Sequence, residues 1–371
     1  MKIVGIISMQ RIYNYGSFLQ AYALKRMIEK SGNKVIFLDY KVEKPRNISE
    51  ASFMNKRMKQ KIRLFIYKIL NIFHALNEEQ QHILAFRKMY DKNLYERLGV
   101  SKKCRKPVDT LVIGSDEVFN CLQSNINVGF SKELFGIGFE YKKKISYAAS
   151  FGNTTIEKID KEKVTTYIKK WLRDFDSISV RDDNSLKICK ELQVPNVCKN
   201  LDPVLMYDFK NEIIDQKTFI KEPYMIVYAY ANRINENEKN IIISYAKKNN
   251  LALVSVGGYQ KFCDYNIVLS PLEVLGLFKN CSCVVTDTFH GSILSIINKK
   301  KFAVIVRTSK TGNYGNSEKI DDLLRTLKLT DQVANYKNIE EILKKEINYD
   351  LVDTIIEKER KKARDYLEYN L

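Results

Sequence analysis

Long apolar runs are absent from the sequence, and so is a secretion signal. No window approaches the ~20 consecutive apolar residues that a membrane-spanning helix needs. The opening residues, MKIVGIISM, form a short apolar stretch that lacks the apolar length and the small-residue cleavage site of a signal peptide, so we expect none. We therefore expect a cytoplasmic protein that reaches a membrane only peripherally, at its inner face.

Cysteine and histidine are also sparse. The seven cysteines are an odd, scattered set without a Cys-x-x-Cys pair, and we interpret them as reduced, mostly buried thiols. The only histidines are His74, His82 and His290, and no cluster of cysteine and histidine has the spacing of metal ligands. We therefore expect a site with neither a metal nor a cofactor.

Acidic residues are outnumbered by basic ones. The chain has 62 Lys and Arg against 44 Asp and Glu, a formal net charge of +18. Such a charge attracts nucleic acid, acidic lipid, phosphorylated metabolites or acidic glycans, although solvated basic faces are an alternative explanation. No known nucleic-acid motif occurs, so we expect no nucleic-acid partner.

Strand patterns alternate with helix patterns along the whole chain. Lys2–Ile7 is predicted to be a strand, Gly16–Lys30 a helix and Lys34–Asp39 a second strand, an order that implies parallel pairing. The alternation resumes in the second half. We predict an α/β protein of two Rossmann-like domains, 1–210 and 211–371, with a cleft between them and a C-terminal helical extension.

The turn after the first strand is the first candidate site. Asn14, Tyr15, Gly16 and Ser17 open a helix there, and free N–H groups and the helix dipole at such a turn favour an anion. The turn is not a Gly-x-Gly-x-x-Gly fingerprint, so it implies no dinucleotide. The alternative is a capped helix start, with Ser17 as the N-cap.

Polar residues follow two other strands of the first half. Ser115, Asp116 and Asn120 lie at or just beyond the end of a strand, where ligands bind in open α/β sheets. A carboxylate there can accept a proton from a substrate hydroxyl, or it can form an Asx turn. Arg181 follows another strand and suits a carboxylate or phosphate, unless it pairs with the neighbouring aspartates.

His290 lies in the most informative motif, VVTDTFHGS. A predicted buried strand ends at Asp287, and Gly291 and Ser292 open an apolar helix. This order places His290 where a phosphate would lie, as a proton donor or as a cationic partner. A purely structural histidine is the alternative.

Residues 53–97 are predicted to be mainly helical, a basic insert in the first domain. Between 53 and 76, apolar residues recur at helical spacing among lysines and arginines, and no acidic residue occurs between Glu50 and Glu78. This pattern is typical of a helix lying on an anionic membrane. A core-facing helix with a solvated basic face is the alternative.

Seven segments, in this order, resemble the polysaccharide pyruvyl transferase family. They are NYGSFLQAYAL, IGSDEVFN, SYAASFG, SISVRDDNS, LDPVLM, SPLEVLGLFKNCSCVVTDTFHGSILSIIN and NSEKIDDLL. The resemblance implies a two-domain fold similar to GT-B glycosyltransferases, with the acceptor on the first domain and the donor on the second.

The same resemblance implies transfer of pyruvate from phosphoenolpyruvate to two hydroxyls of one sugar, giving a cyclic ketal. The acceptor would belong to a surface polysaccharide, such as a capsule, or to its lipid-linked precursor. Arg181 and His290 match the family positions proposed to hold phosphoenolpyruvate. His290 then suits the general acid, and Asp116 or Asp287 suits the base.

One position departs from the family pattern. Some members carry an arginine two residues before the histidine, where this chain has Thr288. Arg307, Lys310 and Lys319 are the candidates to supply the cation instead. Asn316 and Lys319, both in the last of the seven segments, are further candidate substrate contacts.

Two other functions stay open. A sugar-nucleotide glycosyltransferase would use the same two-domain plan, and the missing arginine keeps that function open. A non-catalytic basic protein that binds a polyanion would account for the charge but would leave the strand-end motifs unexplained.

Overall fold

Two parallel six-stranded sheets form the framework of the molecule in our computed structural model, which describes residues 1–101, 103–214, 220–307 and 317–371. The strands of the first sheet, in chain order, are β1 Ile3–Ile7, β2 Lys34–Phe37, β3 Val108–Asp116, β4 Tyr141–Ala149, β5 Ile178–Val180 and β6 Val197–Lys199. Their spatial order is β2-β1-β3-β4-β5-β6, and every pair is parallel.

Helices connect these strands. In chain order they are α1 Tyr15–Lys30, α2 Glu50–Ile72, α3 Glu78–Asn93, α4 Ile156–Lys161, α5 Thr165–Arg173, α6 Asp183–Glu191 and α7 Pro203–Met206. A π-helical turn, Leu94–Leu98, extends α3, and a 3-10 turn, Lys132–Phe135, lies between β3 and β4. The predicted helical insert is thus two helices and a turn.

The second half repeats this architecture. Its strands are β7 Tyr224–Tyr228, β8 Ala252–Val256, β9 Tyr265–Ile267, β10 Cys283–Thr286, β11 Lys301–Ile305 and β12 Val333–Ala334. Its helices are α8 Glu236–Lys248, α9 Pro271–Asn280, α10 Phe289–Ile297, α11 Ser317–Thr326, α12 Ile339–Lys344 and α13 Tyr349–Asn370, with a 3-10 turn at Thr330–Gln332. The strand order is β12-β11-β10-β7-β8-β9, again all parallel.

The order of strands reverses once in each sheet. In the first sheet the reversal lies between β1 and β3, whose Val4 and Thr110 are paired, and in the second it lies between β7 and β10. Ligands of open α/β sheets bind at the carboxyl ends of the strands at such reversals. The fold class predicted from the sequence, α/β with two Rossmann-like domains, is confirmed.

The last helix, α13, returns to the first domain. The Tyr366 hydroxyl donates to the carbonyl of Ser146 at 2.8 Å, and Arg360 Nε donates to the carbonyl of Leu205 at 3.1 Å. The Lys2 ammonium also donates to the carbonyl of Leu371. The helical extension therefore joins the two domains a second time.

Helix α2 is the largest departure from an ordinary packed fold. Of its residues only Phe53 is buried, and most of its large apolar side chains are exposed. The alternative of a core-facing helix is therefore wrong. No helix in the described part of the chain combines the length and apolar composition needed to cross a bilayer.

Candidate active site

A cavity of about 330 Å³ lies between the two sheets, at the strand reversals of both. Side chains at or after the ends of β1, β3, β4, β7 and β10 line it, together with one lysine from α11. The lining consists of Met9, Ile12, Asn14, Ser17, Asp116, Glu117, Asn120, Gln123, Ser124, Asn125, Val128, Asn153, Tyr228, Tyr230, Arg233, Thr288, Phe289, His290 and Lys319. Both domains thus contribute polar and charged groups to one space.

A row of ionisable side chains leads into this cavity. Arg181 Nη1 donates to Asp116 Oδ1 at 3.3 Å and to Asp202 Oδ2 at 3.0 Å. Asp202 Oδ2 in turn lies 3.4 Å from His290 Nε2. The sequence motifs of both halves therefore meet, and Asp202 links the arginine of the first domain to the histidine of the second.

Asp202 and Arg181 are almost completely withdrawn from water. Burial alone would raise the pKa of Asp202, but His290 and Arg181 outweigh burial and lower its pKa to about 2. Arg181 is 3% exposed, its guanidinium lies 4.5 Å from the centre of the Phe289 ring, and its pKa is raised by the surrounding carboxylates despite burial. Both groups are therefore held ionised.

Arg181 keeps unused hydrogen-bonding capacity. Within the described residues, its Nε and Nη2 have no hydrogen-bond partner. Arg181 is absent from the cavity lining, whereas its partner Asp116 lines the cavity.

The first helix begins against the histidine. A Cβ built on Gly16 would lie 2.2 Å from His290 Cγ and Nδ1, so only glycine lets the imidazole rest on the start of α1. Asn14 is the N-cap, accepting from the N–H of Gly16 at 2.7 Å, and the expectation that Ser17 fills this role is wrong. Tyr15 is buried between the domains, its hydroxyl donating to the carbonyl of Leu269 at 2.8 Å.

The polar atoms of Asn14 and Ser17 contact their neighbours across the site. Asn14 Nδ2 donates to the Tyr230 hydroxyl of the second domain at 2.7 Å. The Ser17 hydroxyl donates to Asp116 Oδ2 at 3.4 Å. Both residues line the cavity, whereas Tyr15 and Gly16 support it from behind.

Thr288, at the position of the missing arginine, caps α10. Its Oγ1 accepts from the N–H of Gly291 at 2.9 Å and lies 3.1 Å from the hydroxyl oxygen of Thr286. A Cβ on Gly291 would lie 2.0 Å from that Thr286 oxygen, which explains the glycine. Ser292 donates to the carbonyl of Thr288 at 3.2 Å and is buried, so Gly291 and Ser292 do not line the cavity.

Lys319 and Arg233 also line the cavity. Lys319 Nζ lies 2.7 Å from Glu117 Oε1, an ion pair that joins α11 to the residue after β3. Burial raises the pKa of Glu117, but Lys319 outweighs it and lowers the pKa to about 2. Arg233 lies with its guanidinium 4.3 Å from the centre of the Tyr230 ring.

Some predicted site residues lie elsewhere. Asp287 is completely buried beside the cavity lining, 3.3 Å from Arg307 Nε, and burial raises its pKa. Arg307 also holds Glu238 at 2.7 Å, so neither group faces the cavity. Ser115 is buried and donates to the carbonyl of Ala148 at 2.9 Å.

Asn120 lines the cavity, but its amide is engaged by neighbours. Its Nδ2 donates to Glu117 Oε2 at 2.7 Å, and its Oδ1 accepts from the Thr154 hydroxyl at 2.8 Å. Lys310 and Asn316 lie outside the described residues. Of the candidates to replace the arginine, Lys319 is thus the one that the structure places in the cavity.

Asp202, Glu117 and Arg233 have no place among the predicted site residues. Asp202 lies in LDPVLM, one of the seven segments that carry the family resemblance, but no local pattern in the sequence gives it a role in a site. Glu117 follows Asp116 directly, so the strand end itself could have indicated it. Arg233 lies in a loop with no local pattern, and only the tertiary structure brings it to the cavity.

Comparisons with known proteins bear on this site. A model of the family described as polysaccharide pyruvyl transferase matches residues 14–309, a range that contains every predicted site residue except Lys310, Asn316 and Lys319. A search of curated protein sequences finds no match.

Several solved structures are similar in outline. One is the S. aureus MnaA-UDP co-structure, at 11% identity and a TM-score of 0.47, covering 96% of this chain and 91% of that one. Another is UDP-GlcNAc 2-epimerase from Methanocaldococcus jannaschii, at 9% identity and 0.47, covering 94% and 93%. A third is Arabidopsis thaliana UGT89C1 complexed with quercetin, at 10% and 0.47, covering 99% and 98%.

Proposed function

This chain belongs to the polysaccharide pyruvyl transferase family, and from that premise we propose that it transfers pyruvate from phosphoenolpyruvate to two hydroxyls of one sugar. The product would be a cyclic ketal on a surface polysaccharide or its precursor. The observation that carries the proposal is the cavity in which His290, Lys319 and Arg233 converge beside Asp116.

The charges of the cavity suit this donor. Phosphoenolpyruvate carries a phosphate and a carboxylate close together, and it needs cations on more than one side. Lys319 and Arg233 approach from the second domain, and Arg181 lies behind Asp116, with its Nη1 3.3 Å from Asp116 Oδ1. Lys319 thereby takes the place of the arginine that Thr288 replaces.

The proposed reaction is balanced by the two sugar hydroxyls. Protonation of the donor's methylene carbon makes a methyl group and leaves a cationic centre at the adjacent carbon. One hydroxyl attacks that carbon, the C–O bond to phosphate breaks, and the second hydroxyl closes the ketal. One of the two hydroxyl protons restores the general acid that protonated the methylene carbon, and the other leaves with phosphate.

His290 and Asp116 are placed for the two proton transfers. His290 lines the cavity and is oriented by Asp202 on one side and by Gly16 on the other, which suits a proton donor to the methylene carbon. Asp116 lines the cavity from the first domain, where the acceptor is expected, and its carboxylate can accept a hydroxyl proton. Asp287 is too enclosed for this role.

A thermal-shift titration with phosphoenolpyruvate tests the donor. A ligand at ~100 times its dissociation constant stabilises the native state by roughly 2.7 kcal/mol, which is an easily measured rise in Tm. We expect this rise with phosphoenolpyruvate and not with UDP-sugars. A response to UDP-sugars alone would overturn the proposal in favour of a glycosyltransferase.

Product mass tests the reaction itself. Incubation of the protein with phosphoenolpyruvate and glycans extracted from its own cells should yield a glycan with an added pyruvyl ketal and one equivalent of inorganic phosphate. An added hexose would indicate glycosyl transfer instead.

A further inference from the structure

Helix α2 presents an apolar face to solvent. Its exposed large side chains are 38–73% exposed, values far from those of a packed helix. They are Met54, Met58, Ile62, Phe65, Ile66, Ile69 and Ile72, followed by Phe73 at the helix end. At 3.6 residues per turn these positions fall within an arc of about 120°.

The opposite side of α2 faces the protein. Phe53 is buried there, and Leu64 and Tyr67 are half-buried. The apolar stripe is therefore no remnant of a poorly packed core, because the helix already has a separate face for packing. A stripe of this size on an exposed surface marks an interaction site.

Basic residues flank the apolar stripe on both sides. Lys59 and Arg63 border one edge of the stripe, and Lys61 and Lys68 border the other. No acidic residue occurs between Glu50 and Glu78. An apolar face between two basic edges fits the interface of a bilayer with anionic head groups, which receives apolar side chains and neutralises cations at the same depth.

The basic edge of α2 continues into the active-site cavity. A groove of about 470 Å³ is lined by Lys56, Lys59, Gln60 and Arg63 of the helix and by the segment 124–126. Ser124 and Asn125 of that segment also line the active-site cavity. Anything that binds to α2 is therefore held next to the mouth of the active-site cavity.

We propose that α2 docks the protein on an anionic lipid bilayer, with its apolar face in the interface and the active-site cavity open close to the head groups. The acceptor would then reach the cavity along the basic groove. The docking surface does not depend on the identity of the donor, so it can be tested separately from the proposed reaction.

Vesicle flotation of the full chain tests the docking. We expect recovery with vesicles of phosphatidylcholine containing phosphatidylglycerol at about 0.1 M salt, and a several-fold loss with pure phosphatidylcholine or at about 0.5 M salt. The double variant Ile62→Ser/Phe65→Ser should lose binding. Its control, Leu351→Ser/Tyr369→Ser, removes exposed apolar residues of α13 and should bind like the unaltered protein.

A charge-matched pair of variants separates this helix from the general positive charge of the protein. Lys59→Ser/Arg63→Ser should weaken flotation several-fold, whereas Lys358→Ser/Lys361→Ser, which removes the same charge from exposed positions of α13, should not. Equal weakening by both pairs would overturn the proposal, as would equal recovery with neutral vesicles or no recovery at all.

Fluorescence shows whether α2 itself enters the interface. The chain has a single tryptophan, Trp171, so Phe65→Trp adds one probe on α2 and Tyr369→Trp adds one on α13. We expect a blue shift and quenching by brominated lipid for the first probe only. If α2 instead binds a second copy of the chain, sedimentation velocity will show a dimer that Ile62→Ser/Phe65→Ser abolishes, and vesicles will leave the probe unchanged.

The phosphoenolpyruvate-induced rise in Tm should be the same in Ile62→Ser/Phe65→Ser as in the unaltered protein. Flotation therefore reports on docking alone, and the rise in Tm reports on the donor alone.

Discussion

Gly16 and His290 are in direct contact across the two domains, and the absence of a side chain at residue 16 fixes where the imidazole lies. We expect Gly16→Ala to displace the ring and to lower turnover by ~10²-fold, because displacements of about 1 Å have effects of that size. Gly32→Ala is the control. A Cβ on residue 32 would have no atom within 4 Å, so the variant should not disturb the site and should keep normal turnover. Because Gly32 has a positive φ, the alanine should lower stability only. Turnover and Tm should be measured for both variants. Normal turnover in Gly16→Ala would show that Gly16 does not position His290.

Replacing the histidine tests its role directly. His290→Asn keeps a hydrogen-bonding side chain of similar size but removes the proton donor, and we expect turnover to fall by ~10²–10⁴-fold while the protein stays folded. Single-turnover rates and Tm should be measured together. A variant that melts early and turns over normally would contradict a catalytic role, and a raised donor requirement with equal loss would indicate phosphate binding.

Two aspartates at strand ends should behave in opposite ways. Asp116→Asn should lower turnover strongly, because Asp116 lines the cavity. Asp287→Asn should lower the free energy of unfolding by about 1–3 kcal/mol, since it removes the buried carboxylate that pairs with Arg307 and lies 4.0 Å from Arg233, and the folded fraction should keep most of its turnover. Urea unfolding and turnover corrected for the folded fraction would distinguish them. A catalytic loss in Asp287→Asn without loss of stability would contradict our placement of this residue.

The Glu117–Lys319 pair predicts a pH dependence of stability. The pKa of Glu117 is lowered from 4.5 to about 2, so its contribution is complete above pH 4.5 and is lost as the pH falls toward 2. Lys319→Met should therefore lower the free energy of unfolding at pH 6 by about 1–2 kcal/mol, a value reduced by the 24% exposure of the Glu117 side chain. The difference from the unaltered protein should narrow below pH 4.

The matched control for that experiment is Lys248→Met. It removes the exposed pair with Glu340, whose Nζ–Oε1 distance is also 2.7 Å, and it should change stability little. A pH-independent difference between Lys319→Met and the unaltered protein would show that the lysine stabilises by packing rather than by charge.

Thr288→Arg installs the arginine that some family members carry. The variant loses the cap on Gly291, and we expect a loss of about 1 kcal/mol of stability. Combined with Lys319→Met, it should restore part of the donor affinity that the lysine variant loses, as measured by the donor KM. No restoration would mean that Lys319 does not take the place of that arginine.

Most of the fold could be predicted from the sequence because buried parallel strands have continuous apolar runs. Val284, Val285 and their neighbours in β10 are an example. The strands Tyr265–Ile267 and Val333–Ala334 could not, since they are short edge strands, and the first of them is partly exposed. Their pairing depends on neighbours far away in the chain.

The sequence predicted those site residues whose reactive side chains lie at or just after the end of a predicted strand. His290 and Asp116 are such cases, and the structure brings both into one cavity. Asp287 also ends a strand, but the sequence does not show that Arg307 encloses it. The N-cap of α1 was misplaced because Asn14 and Ser17 both suit that role, and only the backbone decides between them.

The return of α13 to the first domain has a consequence for synthesis on the ribosome. The first domain emerges long before residues 349–370, and domains generally fold as they emerge. Here Tyr366 and Arg360 supply contacts to Ser146 and Leu205, so this surface of the nascent first domain stays uncovered until residues 349–370 have been made. The folding of the first domain therefore cannot be completed before the second domain has been synthesised, because α13 packs against both domains.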